Sequence, residues 1–214
     1  HRRGAATVPR AGPGRPRRDA IIRPLMERFD AVIVGAGAAG LFCAARAGRL
    51  GRRVLLLDHA AKVAEKIRIS GGGRSNFTNR EVGPQHFHSE NPAFARSALS
   101  RFTPQDFIAL VQRHGIAFHE KHKGQLFCDR SAEDLITMLL AECAAGGVTR
   151  RQPCGVRAVR RVAPDEADAP VGPEVFELDT DAGVVRAPRL VVATGGLSIP
   201  QIGASDWGQR LAAD

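Results

Sequence analysis

The hydrophobic and polar positions change period several times along the chain, and each change marks an element. Phe29 to Val34, "FDAVIV", is apolar and β-branched, which predicts a short buried strand. "AAGLFCAARAGRL", 38–50, places small and aliphatic residues at helical spacing, with Gly51 as its stop. "RRVLLLD", 52–58, is nearly continuous in apolar residues, as strands buried on both faces are. Together these predict a βαβ unit. A polar stretch over about 59–91 reads as a loop. Helices follow at 92–102 and at 103–115, the second marked by Thr103 as N-cap, Pro104 at N1, Asp106 at N3 and Gly115 after its end. "IAFHEKHKGQLFC", 116–128, alternates around Lys123-Gly124 and predicts a hairpin. "SAEDLITMLLAECAAGG", 131–147, predicts a helix capped by Ser131 and stopped at Gly146. Strands are then expected at 148–152, 155–162, 174–180 and 183–194, interrupted by the acidic loop 163–174 that carries Asp165, Glu166 and Asp168. The last residues look like the start of a helix.

This order predicts an α/β fold: a Rossmann-type dinucleotide domain with a parallel sheet and a side β-meander. The expected division is a disordered basic tail over 1–25 and one domain over 26–214, with a helical and hairpin segment at about 92–145. The chain has 214 residues, 43% of them hydrophobic and 25% charged, which suits a globular domain. No apolar run reaches the roughly 18 residues of a membrane span. Cys43, Cys128, Cys143 and Cys154 are irregularly spaced, which argues against zinc and disulfides and fits a reducing, cytoplasmic setting. The histidines at 86, 88, 114, 119 and 122 lack a third spaced ligand, so no metal is expected.

The net charge of +9 changes little once it is located. Residues 1–25 hold seven Arg against one acid, whereas 26–214 hold 24 Lys and Arg against 21 acids. The basicity is therefore mostly a Pro-, Gly- and Arg-rich tail ahead of Met26, which is the expected native start. A nucleotide- or RNA-binding module using that tail is the alternative from another functional class. The main expectation is a small-molecule substrate, without nucleic acid or membrane, and with the oligomeric state open.

Gly35, Gly37 and Gly40 form G-x-G-x-x-G between the first strand and the first helix. In that context the first glycine permits the turn, the second admits a pyrophosphate, and the third lets helix and strand approach. Asp58 ends the second strand, 23 residues past Gly35, where an acid accepts the hydroxyls of a ribose. The motif alone does not separate FAD from NAD, and a simple NAD-dependent dehydrogenase is the alternative enzyme. The second glycine loop, "SGGGRSN", favours FAD: bare backbone, the fixed cation Arg74 and the amides Asn76 and Asn79 are placed to wrap the far half of a long cofactor.

"VIVGAGAAG", "RVLLLD", "KIRISGGGRSNFTN", "KGQLFC" and "VVATGGLSIPQIGASDWG" resemble a family of bacterial flavoproteins, the NAD(P)/FAD-dependent oxidoreductases that include bile-acid Δ4/Δ6-reductases and aminoacetone-oxidase-like enzymes. The resemblance covers about 29–214, the N-terminal half of such proteins. It implies a glutathione-reductase-type FAD fold, here incomplete, lacking an inserted domain and the C-terminal part. It implies an FAD-dependent oxidoreductase that passes hydride through bound flavin, with NAD(P)H as partner. By that likeness Gly35, Gly37, Ala38, Ala39 and Gly40 would hold the FAD pyrophosphate and Asp58 the ribose. Lys66 and Ser70, Gly71, Gly72, Gly73, Arg74 with Asn76 would line the flavin side. Val156 would pair its backbone with adenine, and Thr194 and Gly195 would close over the pyrophosphate. Ser75 stands where many members carry Cys, and Val63-Ala64 where Pro-Gly is frequent. No catalytic acid or base is singled out.

Overall fold

The computed structural model describes residues 26–91, 93–165 and 174–213. The basic tail over 1–25, and Glu166 and Asp168 of the acidic loop, lie outside the described residues. Three sheets organise the chain, and the central one is parallel throughout. Its strands β2 (Ala31–Val34) and β3 (Val54–Leu57) flank helix α1 (Ala38–Arg49), and a two-residue strand β1 (Glu27–Arg28) precedes them. The apolar runs explain the central position of β2 and β3. In β3 all four residues are buried, and the odd and even residues of both strands serve two different cores. Ile33, Val54 and Leu56 face α1, whereas Val32, Val34, Leu55 and Leu57 face the opposite layer.

The stretch predicted as one long loop is partly regular. It contains helix α2 (Glu65–Ile69), a tight turn at Ser70–Gly73 and strand β4 (Asn76–Asn79). Helix α3 (Arg96–Arg101) is shorter than expected, and α4 (Pro104–Arg113) begins where Thr103 predicts. There the Thr103 hydroxyl accepts from Asp106 N–H at 3.2 Å and the Asp106 carboxylate accepts from Thr103 N–H at 2.8 Å. The backbone and then the hydroxyl bonds from Thr103 hold the Asp106 carboxyl below its ordinary range. The predicted hairpin is β5 (Phe118–Glu120) and β6 (Gln125–Cys128), and β6 also pairs with β4, giving the order β4-β6-β5.

Helix α5 (Glu133–Ala145) is capped at Ala132, one residue later than expected, with the Ser131 hydroxyl accepting from Glu133 N–H at 3.1 Å. It crosses α1 where both are stripped of side chains. A Cβ on Gly48 would overlap the Gly146 carbonyl. Strand β7 (Thr149–Arg151) joins the far edge of β3. The meander β8 (Val156–Val162), β9 (Val175–Thr180) and β10 (Gly183–Ala187) pairs antiparallel, and β1 runs parallel to β10 at its edge. The run 183–194 is two strands rather than one. After Pro188, which has no N–H to donate, the chain leaves the meander and enters the parallel sheet as β11 (Leu190–Val192) beside β2. The central order is β11-β2-β3-β7. Helix α6 (Trp207–Ala213) ends the described chain. Meander, parallel sheet and helices form three layers, and the cleft opens at the C-terminal ends of β2, β3 and β11.

Candidate functional site

Three backbone turns meet at that edge of the sheet. Gly35 leaves β2 at φ +110°, a conformation that favours glycine. A Cβ there would overlap the Ala193 carbonyl and lie 2.9 Å from Thr194 N, so the first and second glycine turns touch backbone to backbone. A Cβ on Gly40 would overlap the Gly35 carbonyl, which brings α1 down onto the turn. Gly37 differs: nothing lies within 4 Å of the place its Cβ would take. Gly37 is also the N-cap of α1, where no side chain caps the helix and no acid occupies the first turn. The N–H groups of the first turn therefore face open space at the positive end of a 12-residue helix. That is the cradle an anionic pyrophosphate requires, and the residues present fit it.

Asp58 ends β3 beside the turn. Its carboxylate accepts from Ala36 N–H at 2.6 Å and from Ala60 N–H at 2.8 Å, and its side chain is 14% exposed. The acid thus braces the glycine turn from below while its exposed fraction faces the cleft. Each oxygen has a further lone pair for a ribose hydroxyl.

The cleft holds about 430 Å³ and is lined by Gly35, Gly37, Ala38, Ala39, Asp58, Lys66, Ser70, Asn76, Thr194 and Gly195 among the predicted residues. Val156 lies in an adjoining recess of about 280 Å³, which shares Gly35, Asp58, His59, Thr194 and Gly203 with the cleft. Gly40 lies beneath, at the contact of helix and turn. Gly71, Gly72, Gly73 and Arg74 do not line the cleft; they form the outer side of the loop whose ends, Ser70 and Asn76, do. Their three glycines take φ of +58°, +67° and +82°, which is a backbone reason for glycine. A Cβ on Gly71 would lie 2.7 Å from the Phe127 ring, so the loop is seated on β6. Ser75, at the position where Cys is common, is buried at φ +47° and lines the cleft, as does Ala64 at φ +56°. Backbone held in this sparse region twice beside one cleft is over-determined by its surroundings.

Two long-range contacts that no sequence pattern predicts close the cleft. Lys66 donates to the Ser198 hydroxyl at 2.7 Å, linking α2 to the second glycine turn across 132 positions of sequence. His59 Nε2 lies 3.2 Å from the Gly203 carbonyl, drawing the turn before α6 over the recess. Trp207, the chain's lone tryptophan, and Cys154 complete that recess. Phe77, Phe107, Leu135 and Leu139 form an apolar wall. Among the described residues no cluster of three or more metal-ligating side chains occurs, and no helix is long and apolar enough to cross a membrane. Burial pushes the Cys128 thiol up to about 11, which leaves it protonated and unreactive at neutral pH.

Comparison with known proteins agrees with this geometry. A ribosomal RNA dihydrouridine synthase of Escherichia coli is 54% identical over 187 residues, 87% of this chain and 44% of that protein. A 3-dehydro-bile acid Δ(4,6)-reductase of Clostridium scindens is 28% identical over 84% of this chain and 42% of that protein. The solved 3-ketosteroid-Δ4-(5α)-dehydrogenase of Rhodococcus jostii shares the fold with a TM-score of 0.56 at 16% identity, covering 85% of this chain and 49% of its own. The chain spans less than half the length of the curated relatives it matches. The bile-acid type named by the resemblance is the more distant of the two curated relatives. The model of the HI0933-like protein Rossmann domain matches residues 29–214, and the chain belongs to that family, with the Rossmann-type α/β fold of FAD-binding oxidoreductases.

Proposed function

We propose that this chain is the FAD-binding part of a flavoenzyme that reduces uridine to dihydrouridine in ribosomal RNA. The observation that carries the reading is 54% identity to a protein of that name over 187 residues, 87% of the chain. The uncapped α1 terminus and the open side of Gly37 support a dinucleotide pyrophosphate there, and membership of a family with the fold of FAD-binding oxidoreductases supports FAD. In this reading Gly37, Ala38 and Ala39 hold the pyrophosphate, Asp58 the ribose, and Lys66, Ser70 and Asn76 border the flavin end. FAD, when bound, supplies two-electron redox chemistry that no side chain here provides. The balance is simple: the C5–C6 double bond of uracil gains a hydride and a proton, and NAD(P)H becomes NAD(P)⁺. An RNA substrate departs from the small-molecule expectation; the relative's name, not the basic tail, motivates it.

The test uses the full-length protein. Purified with FAD and incubated with NADPH or NADH and unmodified ribosomal RNA, it is expected to convert a uridine to a nucleoside heavier by two hydrogens, read by mass spectrometry of the digested RNA. Flavin-loaded protein that oxidises NAD(P)H but leaves every RNA nucleoside unchanged would overturn the RNA reading and leave the flavoprotein reading in place.

A further inference from the structure

The hairpin β5–β6 carries a set of cations that the cofactor site does not use. In the antiparallel register His119 and Asn76 both stand opposite Phe127, so these side chains share one face of the small sheet, and Lys121 follows two residues on. Asn76 lines the cofactor cleft. Lys121 Nζ sits 4.1 Å from the centroid of the Phe127 ring, the same ring that Gly71 abuts. The face therefore continues outward from the loop 70–74.

Three of the acids around this face are engaged, while Glu81 beside Arg80 has no ion pair among the described residues. Glu120 pairs with Arg80, Asp129 with His119 at 2.7 Å, and Glu133 with Arg68. Among the described residues Lys121, Lys123 and Arg74 have no acidic partner, and all three are exposed. Against these three cations stand Glu81 and Asp129, whose histidine partner is formally neutral at pH 7, so the balance of exposed charge stays positive. The tip is also fixed. Asn79 Nδ2 donates to the Lys123 carbonyl at 2.6 Å, and Arg80 N–H donates to the Gly124 carbonyl at 3.0 Å. Lys123 is held at φ +59°, a conformation a lysine adopts only where its surroundings impose it. That backbone is what the turn of the hairpin requires, with Gly124 beside it at φ +74°, and it fixes where the lysine is presented.

We propose that this face, Lys121 and Lys123 of the hairpin with Arg74 of the loop, is the docking surface for the phosphodiester backbone of the RNA strand whose base is reduced. The inference rests on the RNA reading above. Exposed cations presented by the hairpin and the adjoining loop beside the cofactor cleft suit a single-stranded polyanion entering from the flavin end. Phosphate contacts position such a strand and leave the reading of the base to the site itself.

The experiment compares three full-length, FAD-loaded proteins: wild type, a neutral double variant (Lys121→Gln with Lys123→Asn) and a charge-keeping one (Lys121→Arg with Lys123→Arg). Asn tolerates the left-handed backbone at 123, so the neutral variant loses charge without strain. Binding to a fluorescent single-stranded RNA oligonucleotide is titrated across a salt series. The neutral variant is expected to bind about tenfold more weakly near 0.1 M salt, with a salt slope shallower by about 1.4, which is ~0.7 for each of two lost contacts. Flavin content is expected to be unchanged, and the arginine variant to bind as wild type does. Equal affinity and slope in the neutral variant would overturn the docking surface while leaving the RNA reading intact. Flavin loss in the neutral variant, or weak binding by the arginine variant, would also overturn it. Absence of RNA binding by wild type would overturn both.

Discussion

Two glycine-rich turns in this molecule use the same residue for different reasons. In the first, Gly35 and Gly40 are needed because backbone from Ala193–Thr194 and from Gly35 itself fills the space a Cβ would take. Gly37 between them has nothing within 4 Å. In the other, the loop 70–74, Gly71, Gly72 and Gly73 all adopt positive φ, and only Gly71 meets close neighbours, the Phe127 ring and Asn76 N. Glycine by itself therefore does not mark a ligand. The informative glycine is one whose missing side chain leaves an empty, polar-lined space that the protein's own atoms do not occupy. Gly37 meets that description, since uncapped helix N–H groups face the opening. The second loop contributes to the cleft through its ends, Ser70 and Asn76, while its glycines shape the turn between them.

This contrast orders the expected effects of substitution. The largest belongs to Gly40→Val, which drives a branched side chain into the Gly35 carbonyl with no flexible neighbour to yield. A loss above ~3 kcal/mol is expected, read as collapse of soluble yield and of the thermal transition. Next is Asp58→Ala. It leaves Ala36 and Ala60 N–H without their acceptor, which is expected to cost about 1–3 kcal/mol in FAD-free protein. Asp58→Asn retains one acceptor oxygen and is expected to lose less; equal melting of all three proteins would show that the brace is idle. Gly72→Ala is expected to cost about 1–2 kcal/mol from its left-handed backbone alone, and Gly71→Ala more, because Phe127 must also move. Equal losses would remove the distinction between them.

The smallest effect lies away from both turns, at the α5 end. Burial raises the Glu142 carboxyl, but hydrogen bonds and charge from His114 and Arg49 outweigh it and hold the group below its ordinary value near 4.5. A lowered native value means the stabilisation is complete above about pH 4.5 and is lost as pH falls through the native value. Glu142→Gln is expected to flatten that acid limb by less than ~1 kcal/mol in denaturant titrations, with no change at pH 8 beyond the lost pair.

Much of the fold was legible because it is local or strongly patterned. The runs "AVIV" and "VLLL" are apolar throughout because both faces are covered, and Thr103-Pro104 with Asp106 announces α4 through bonds within four residues. The cleft's first half was legible for the same reason, since strand, glycine turn, helix and acid lie within one βαβ unit. What the sequence hid is non-local. Strand β4 is four polar and aromatic residues, "NFTN", that become a strand only by pairing with β6, about fifty positions later. The Lys66–Ser198 bond and the His59–Gly203 contact join segments more than a hundred positions apart. No period or motif encodes such partners. The run 183–194 misled because its apolar pattern continues across Pro188 while its hydrogen-bonding partner changes from the meander to the parallel sheet.

The most direct test of the account is Gly37→Val in the full-length protein, measured by FAD titration together with thermal melting of the FAD-free form. The side chain enters open space, so the FAD-free melting midpoint is expected to stay close to that of wild type while FAD affinity falls at least ~100-fold, equivalent to ~2.7 kcal/mol. Undiminished FAD affinity with an unchanged midpoint would contradict the claim that the first glycine turn is the pyrophosphate cradle.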